Sequence, residues 1–371
     1  MEVTVKREDL VKGLYLVQGV VERRNTLPIL ANVLLEPAAE GIALTATDME
    51  VGLRGTIPAE VKKKGAITLN ARKLYEIARE VPGEDVVLKA AQAGWVEVVS
   101  GRSKFKVVSL DAKDFPQLPL AAEAPQGITL RIATGTLREM IDKTLFAVSS
   151  DETRFNLSGV FVTSGEGDTV RMVATDGHRL AMVDRRVPGP RIERGVIMPR
   201  KGLVEARKLL DETDEPEISM IVSAKDVRLI MRSVSFFMRL VEGEFPDYRQ
   251  VIPGASRTQA RANRDDFLAA LRRISLLASE RSRGVKLHLE KGRLELSASN
   301  PDQGEASEDI EVAYGGEPVT IGFNARYLID VLGVHAEGEV VELGLTDEVG
   351  PGVLRGSQDP EYTYVVMPMR L

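Results

Sequence analysis

Three side chains with chemical potential stand close together near the middle of the chain: Asp176, His178 and Arg179. A carboxylate, an imidazole and a guanidinium at this spacing could perform acid–base chemistry. Gly177 lies between them and indicates a tight turn, and a related turn at Asp48 has no histidine. A single histidine in a turn is more typical of a structural or binding residue. We therefore expect no catalytic residue, and keep as an alternative an enzyme of nucleotide or carbohydrate metabolism that uses these three side chains.

Sequence motifs for other common chemistries are absent. The chain has no cysteine, and none of its three histidines belongs to an HExxH zinc motif. It contains no GxxxxGK[ST] phosphate-binding loop and no GxSxG nucleophile elbow. The sequence therefore predicts neither a bound metal ion nor a cofactor.

The turn at Asp176 belongs to a pattern that occurs three times. Each copy has a strand-like run that ends in a polar turn and is followed later by the start of a helix. The turns are Ala46-Thr47-Asp48, Ala174-Thr175-Asp176 and the weaker Ser297-Ala298-Ser299-Asn300, and the helix starts are Asn70-Ala71-Arg72, Pro199-Arg200-Lys201 and Asn324-Ala325-Arg326. The spacing is that of a whole domain and is too long for a solenoid unit. The chain is thus predicted to hold three copies of one domain, most simply set in an arc.

Each copy begins with a helical pattern and continues mainly with strand-like alternation. In the third copy, Phe267, Leu271 and Ile274 recur at helical spacing. Stretches such as GIALTATD, TVRMVATD and RLELSAS alternate as half-buried strands do. We predict an α+β fold in which every copy packs two helices on antiparallel sheets. Turn-rich linkers place the predicted domains at residues 1–126, 127–256 and 257–371.

The chain is acidic overall, while its predicted helices carry basic residues. A net charge of −6 argues against a generally basic surface that grips nucleic acid. The second helix of the middle copy has an apolar stripe with cations on the opposite side: Leu203, Ala206, Leu209 and Leu210 against Arg200, Lys201, Arg207 and Lys208. We predict that this helix packs on a sheet and turns a cationic face outward. A face that is merely solvated is the alternative.

Several segments resemble the bacterial DNA polymerase III beta subunit family, the sliding clamps. They are ATDGHRLA at residues 174–181, the helix start Pro199-Arg200-Lys201-Gly202, the turn at residues 244–249 and the C-terminal residues 364–371. The length, the threefold repeat and the early TLPILANVLLE segment fit the same family. The resemblance implies a non-catalytic processivity subunit. In it, a head-to-tail homodimer closes a six-domain ring around duplex DNA, with helices inside and strands outside.

The resemblance implies a set of DNA-facing cations on the inside of such a ring. They are Arg24, Arg72, Lys73, Arg79, Arg154, Arg200 and Lys201. Because a ring is retained on DNA by its closure, weak and sequence-independent attraction to phosphate would suffice, which reconciles the lining with an acidic chain. Asp151 stands where the family often has a polar DNA-contacting residue, so a contact at that position is in doubt.

The resemblance also implies an apolar groove that receives short peptide motifs of partner proteins. Its expected residues are Leu157, Thr175, Gly177, His178, Arg179, Leu180, Pro246, Val251, Val365, Val366, Met367, Pro368, Met369, Arg370 and Leu371. The tail is unusually apolar for a chain end, and methionine adapts to varied partners. A final strand with one buried face is the alternative. Gln250 replaces an arginine that is frequent in the family, so one charged contact to a partner is in doubt.

A dimer interface follows from the same resemblance. The expected residues are Phe105 and Val107 against Leu276 and Leu277, flanked by Lys73 and Lys104 facing Glu305 and Glu308. The expected partners are a second copy, double-stranded DNA, the replicative polymerase, a clamp loader, other polymerases, ligase and mismatch-repair proteins.

The chain shows no feature of a membrane or exported protein. Its longest apolar runs are too short for a membrane span, and its start is unlike a signal peptide, so we expect a cytoplasmic protein. A structural oligomer without a DNA role, whose basic helices are only solvated, is a further alternative.

Overall fold

The computed structural model of the protein describes residues 1–21, 27–92, 94–118, 127–151, 153–254 and 258–370. Within these residues it has six α-helices, which are α1 (Arg7–Gln18), α2 (Ala71–Glu80), α3 (Thr134–Thr144), α4 (Arg200–Glu212), α5 (Arg264–Ile274) and α6 (Ala325–Gly333). None of these helices has the length and apolar character needed to cross a membrane.

The strands fall into three groups along the chain. The first copy has β1 (Glu2–Lys6), β2 (Asn32–Ala38), β3 (Gly41–Thr47), β4 (Val51–Ile57), β5 (Glu60–Lys63), β6 (Ile67–Asn70), β7 (Asp85–Ala90), β8 (Trp95–Ser100) and β9 (Ser103–Val108). The middle copy has β10 (Ile128–Ala133), β11 (Gly159–Ser164), β12 (Thr169–Thr175), β13 (Arg179–Arg186), β14 (Val196–Pro199), β15 (Glu217–Val222), β16 (Asp226–Ile230) and β17 (Val234–Arg239). The third has β18 (Thr258–Asn263), β19 (Gly284–Glu290), β20 (Arg293–Asn300), β21 (Gly304–Ala313), β22 (Val319–Asn324), β23 (Val340–Leu345), β24 (Gly352–Gly356) and β25 (Asp359–Val366).

The threefold repeat is built from a shorter unit that the sequence pattern did not show. Along the described residues, one strand, one helix and three strands follow one another six times, and only β5 falls outside this order. The first strand of each βαβββ unit pairs with a strand of the other βαβββ unit in the same copy, as β1 does with β7 and β6 with β2. This exchange of strands ties the two units of a copy together. The prediction of an α+β fold with helices and antiparallel sheets is confirmed.

The recurring asparagine at the helix starts has a local cause. The side chains of Asn70, Asn263 and Asn324 each accept a backbone N–H from the first turn of the following helix. Such a cap satisfies a donor that has no partner inside the helix. The Asn-Ala-Arg repeat is therefore a folding signal, and its arginine is placed on the exposed first turn.

The chain divides into two compact units, and the first comprises Met1–Arg138, Pro188–Pro190 and Lys201–Leu240. It contains a five-stranded sheet ordered β5-β1-β7-β8-β9 and an eight-stranded sheet ordered β10-β15-β16-β17-β4-β3-β2-β6. In the larger sheet β4 pairs antiparallel with β17, so strands of the first and middle copies share one ladder. Gly52 lies opposite Phe237 there, and a Cβ at this glycine would come within 2.6 Å of the ring.

The second unit comprises Glu139–Val187, Arg191–Arg200 and Val241–Leu371. It contains one twelve-stranded sheet ordered β14-β11-β12-β13-β25-β24-β23-β18-β21-β20-β19-β22. Here β13 pairs antiparallel with β25, which repeats the β4–β17 arrangement. The two compact units thus each take part of the middle copy, and the domain limits at 126/127 and 256/257 remain a prediction.

The helices pack through apolar stripes, as their sequence periodicity predicts. On α4, Leu203, Ala206, Leu209 and Leu210 are all buried. Within the second unit, Phe267 of α5 and Leu328 of α6 are buried. Burial of such side chains contributes about 1.5–3 kcal/mol each to folding.

Two polar groups in the second unit, one partly buried and one fully buried, accompany this core. Arg185 donates to Glu139 and Asp359 at 2.6 Å each, and Lys143 pairs with the same two carboxylates. Burial alone would raise the pKa of Asp359, but hydrogen bonds from Arg185 and Lys143 lower it overall. Because each charge has partners of opposite sign, removing one would leave a buried charge uncompensated.

The second group is the buried imidazole of His335. Its Nδ1 lies 3.1 Å from Glu339 Oε2, while Nε2 has no hydrogen-bond partner among the described residues. A neutral ring with its proton on Nδ1 fits this arrangement, because Nε2 is then only an acceptor. Burial lowers the pKa of His335, although Glu339 opposes this shift.

We expect His335 to reduce stability in acid. As pH falls through its ordinary value of about 6.5, the unfolded chain binds a proton that the folded chain resists, so the free energy of unfolding decreases. The His335→Gln variant should lose less stability between neutral and mildly acidic pH than the parent, measured by urea unfolding at each pH. His288→Gln, on a strand surface, is the control. Equal losses in the parent and His335→Gln would contradict this expectation.

Candidate functional site

The polar turn that recurs in the sequence is built in the same way at two places. Thr175 Oγ1 donates to the carbonyl of Arg179, and Asp176 Oδ1 accepts the backbone N–H groups of His178 and Arg179. In the first copy, Thr47 and Asp48 make the corresponding bonds. The repeated Ala-Thr-Asp segment is thus explained by turn formation, since its side chains replace missing backbone partners.

This geometry bears on the acid–base interpretation of the turn at Asp176. One carboxylate oxygen of Asp176 holds the turn, and the other accepts from Arg179 Nε at 3.1 Å. The side chain of His178 is exposed, and that of Arg179 is buried. The three groups therefore do not converge on a common point where a substrate atom could lie.

Gly177 shapes the outer end of the turn. Its φ of 90° lies in the left-handed region that favours glycine. A Cβ at this position would also come within 2.8 Å of Nη1 of Arg154. Arg154 itself pairs with Asp151 at 3.6 Å, so the acidic residue that departs from the family pattern holds the arginine beside the turn.

Arg179 is the main polar anchor beneath this turn. Its guanidinium donates to Asp330 at 2.7 Å and to the carbonyl of Phe146, and it lies 4.4 Å from the ring centroid of Tyr327. Burial alone would lower the pKa of Arg179, but the hydrogen bond to Asp330 and the charge of Asp176 help to raise it overall. Arg179 thus ties β13 to α6, and its side chain points away from the exposed face of the turn.

An apolar cluster lies beside the turn. It consists of buried Val173, Leu180, Tyr248 and Val365, with Phe161, Met182, Phe245 and Ile252 packed against it. The rings of Phe161 and Phe245 stack at 5.0 Å between centroids. The hydroxyl of Tyr248 is held by Arg171, which also makes two bonds to Asp184.

The C-terminal tail runs along this cluster. Met367 donates its N–H to the carbonyl of His178, and Met369 donates to the carbonyl of Gly322, both at 2.8 Å. The tail is therefore held by its backbone. The side chains of Met367, Pro368 and Met369 are only partly buried.

The structure brings most of the predicted groove residues together within the second unit. Leu157, Thr175, Leu180, Val365 and Val366 are buried, whereas Gly177, His178, Pro246, Val251 and Arg370 are exposed. Leu371 lies outside the described residues. The aromatic residues Phe161, Phe245 and Tyr248 were not among the predicted residues. The Phe-Pro-Asp-Tyr turn was a sequence signal for Phe245 and Tyr248, and Phe161 on β11 had none. Gln250 bonds to Asp247 at 3.1 Å and is exposed.

The predicted DNA-facing cations differ in their exposure and in whether they pair with a carboxylate. Arg72, Arg79 and Arg200 are exposed, and Lys73 is exposed but pairs with Glu76. Lys201 pairs with Asp48 of the first-copy turn. Arg24 lies outside the described residues, and Arg154 lies beside the turn at Gly177 instead of on a helix.

The cationic face predicted for α4 is less positive than its sequence indicates. Besides the Lys201–Asp48 pair, Lys208 pairs with Glu205 at 2.7 Å and Arg207 pairs with Asp211. The sequence periodicity placed these cations on one side correctly, but it could not show carboxylates that fold back on them.

Apart from Lys73 on α2, the predicted interface residues lie on strand edges and in one short turn. In the five-stranded sheet β9 is an edge strand, where Phe105 is 37% exposed. In the twelve-stranded sheet, β21 pairs with β18 only at its last residues, so its longer first part has β20 as its sole strand partner in the described chain. Leu276 is 78% exposed, Leu277 is half-buried and Glu308 pairs with Arg273.

Three comparisons with known proteins agree over the whole chain. The N-terminal, central and C-terminal domain families of the DNA polymerase III beta subunit match residues 1–119, 131–247 and 249–370. The beta sliding clamps of Pseudomonas aeruginosa and Caulobacter vibrioides are 39% and 40% identical, with full coverage of both chains. A Bartonella birtlesii sliding clamp bound to griselimycin is 38% identical with a TM-score of 0.94, again with full coverage of both chains. The Thermotoga maritima beta subunit is 30% identical with a TM-score of 0.91, covering 100% of this chain and 99% of that one.

We expect Arg179 to stabilise the second unit through its buried partners. The Arg179→Met variant should lose about 3 kcal/mol of unfolding free energy. The Asp330 carboxylate and the Phe146 carbonyl would lose the Arg179 guanidinium as their donor and would stay in a mostly buried place. Urea unfolding measures the loss. Arg326→Met, which removes a more distant and exposed partner of Asp330, should cost under about 1 kcal/mol. Equal effects of the two substitutions would show that Arg179 does not anchor the turn.

Proposed function

Because the chain belongs to the DNA polymerase III beta subunit family, the beta sliding clamps, we propose that two copies close head to tail around duplex DNA and tether the replicative polymerase. The family is non-catalytic, so the protein acts by binding. The observation that carries the proposal is a pair of open strand edges with complementary side chains, β9 and β21.

Two ladders within the chain indicate how these edges would join. In both, the last strand of one βαβββ unit pairs with the last strand of another, as β4 does with β17 and β13 with β25. The same detail closes both ladders: Arg239 donates to the carbonyl of Glu50, and Met367 donates to that of His178. The strands β9 and β21 are the last strands of the two remaining units, and in a dimer each would pair with the other strand of a second copy.

Side-chain chemistry supports pairing between unlike edges. Phe105 and Val107 lie opposite the buried Val98 and Val96, so they belong to the inner face of the sheet. On β21 the inner face carries Ala306 and Ile310, and the exposed Leu276 lies in the turn after α5. Burying these residues together removes apolar surface from water.

The outer faces of the two edges carry opposite charges. On β9 they are Lys104 and Lys106, and on β21 they are Glu305, Asp309 and Glu311. Transferring the register of β4 with β17 places Glu305 opposite Lys106. Pairing of two β9 or two β21 edges would set like charges against each other, which is unfavourable. The charges therefore favour a head-to-tail dimer.

A further contact follows from the Lys201–Asp48 pair. Lys201, in the first turn of α4, holds the turn that precedes β4. The equivalent of Lys201 on α2 is Arg72, beside Lys73, and the equivalent turn is the one before β21, which contains Asp302. We assign Arg72 and Lys73 to the interface as well as to the DNA-facing set.

Duplex DNA would be held without sequence reading. Exposed Arg72, Arg79 and Arg200, together with Arg24, would attract phosphates weakly, and retention would come from the closed ring. Several other helix cations are paired with carboxylates, so the attraction stays modest and sliding is not hindered.

The apolar cluster and tail of the second unit form the proposed docking groove for partner peptides. The packed rings of Phe161, Phe245 and Tyr248 would form the base of the groove. The half-buried Met367 and Met369 would line its edge, where their flexible side chains can adapt to different partners. The griselimycin complex of the Bartonella clamp shows that a relative binds a ligand and supports a binding role here. The replicative polymerase, a clamp loader, other polymerases, ligase and mismatch-repair proteins are the proposed cytoplasmic partners.

The topology of DNA retention tests the clamp function. After loading onto nicked circular DNA by a clamp loader, the protein should stay on the circles and leave once they are linearised. Retention is followed by gel filtration of the complexes. The Lys106→Glu variant should weaken dimerisation and retention, and adding Glu305→Lys should restore much of both, because the opposed charges are exchanged.

Loss from circles and linear DNA alike, by a dimeric protein, would rule out the clamp function. An enzyme or a scaffold would show no dependence on DNA topology. A Lys106→Glu defect that Glu305→Lys does not relieve would contradict the proposed register.

The C-terminal tail is expected to be necessary for polymerase binding. Deleting Met367–Leu371 should reduce polymerase stimulation at least about tenfold, because rim contacts to the peptide are lost, with the dimer unchanged. Surface-bound polymerase peptide and a primer-extension assay measure the effect. Val349→Ala, an exposed apolar residue of the loop before β24, is the control. Full polymerase binding after the deletion would disprove the groove assignment.

A further inference from the structure

The single tryptophan of the chain stands at the surface beside an open strand edge. Trp95 is 36% exposed, and Val108, directly opposite on the edge strand β9, is 55% exposed. Both lie on the outer face of the five-stranded sheet, away from Phe105 and Val107. An exposed tryptophan next to an exposed valine is an unusual use of apolar surface, since tryptophan is enriched at the centres of interfaces.

The position of Trp95 is well defined by its neighbours. Its carbonyl accepts the N–H of Ala91, and Gly94 accepts the N–H of Ser109, both at 2.8 Å. The ammonium group of Lys106 lies 5.3 Å from the Trp95 ring centroid. The indole thus lies beside the Lys106 ammonium group on the outer face, at the end of β9.

At both ladders within the chain, the backbone of the equivalent residue is bonded to the turn of the neighbouring strand. Val108 corresponds to Arg239 and Met367, the residues that donate to the turn before the neighbouring strand. In each case the turn lies against the end of the donating strand. At the end of β9, the corresponding turn would be residues 301–303, before β21, of a second copy.

We propose that Trp95 and Val108 form an apolar patch that packs on residues 301–303 of a second copy of this chain. This proposal rests on the proposed dimer and adds to it a contact outside the inner apolar face. The turn begins with Pro301, whose ring offers an apolar surface to the indole. Continuity with the β9–β21 edge and the unlike charges of the two edges favour a second copy over another protein.

The same arrangement brings a charged pair next to the indole ring of Trp95. With Glu305 of the partner subunit opposite Lys106, the ammonium group would lie between a carboxylate and the indole. A cation between an anion and an aromatic face is attracted to both, and exclusion of water strengthens each attraction. Trp95 would thereby shield the ion pair between Lys106 and Glu305 of the partner subunit from water.

Intrinsic fluorescence tests this contact, because Trp95 is the only tryptophan. Emission and acrylamide quenching are recorded over a dilution series with excitation that avoids tyrosine, and mass photometry measures the dimer fraction in the same samples. In the dimer, emission should shift to shorter wavelength and quenching should fall roughly twofold, because the partner excludes water. Leu276→Asp supplies the monomeric reference.

Substitutions at the same position provide a second measurement. Trp95→Ala should raise the dimer dissociation constant about tenfold, and Trp95→Phe should retain most of the affinity. Circular dichroism of each variant confirms that the chain is folded. Val349→Ala is the control for loss of an exposed apolar side chain.

The outcomes separate the two proposals. A dimer in which Trp95 is quenched as in the monomer, or in which Trp95→Ala binds normally, overturns the tryptophan contact and leaves the clamp proposal standing. A protein that stays monomeric at all concentrations overturns both. A shielded tryptophan together with a weakened Trp95→Ala dimer supports the contact.

Discussion

Hydrogen bonding between strand edges is the interaction on which the rest of this structure depends. An edge strand presents a row of backbone groups that another strand can satisfy, and proteins must pair it, cover it or protect it by charge. Here β4 and β13 are paired within the chain, by β17 and β25. β9 and β21 are protected by lysines and by carboxylates respectively, and these charges are complementary. The requirement that builds the long sheets therefore also selects the proposed partner, a second copy.

The polar turns show one folding motif in two different surroundings. Asp48 and Asp176 hold their turns with the same bonds, and the residues between the cap and the next strand are then free to differ. In the first copy the turn is secured by Lys201, whereas in the middle copy Arg179 anchors it from below. The exposed Gly177 and His178 are left beside an apolar cluster. A segment that looks like an acid–base constellation is thus a structural turn beside that cluster.

Electrostatics in this chain works mainly by local pairing. The helices carry many cations, yet Lys201, Arg207 and Lys208 all have carboxylate partners. Exposed Arg72 and Arg200 are less compensated. A protein retained by closure around its ligand needs little binding free energy, and weak, salt-sensitive attraction to phosphates allows movement along DNA. The acidic net charge and the proposed function are therefore compatible.

The sequence alone determined the local features: the threefold repeat, the amphipathic helices, the alternating strands and the turns with their asparagine and aspartate caps. These follow from interactions between residues near each other in the chain, so a linear pattern records them. Tertiary structure decided the sixfold βαβββ unit, because its exchanged strands pair across long separations, and the aromatic floor of Phe161, Phe245 and Tyr248. It also decided that Arg179 is buried and that Lys201 is paired, since a charge on a helical wheel does not reveal which carboxylate the fold brings to it.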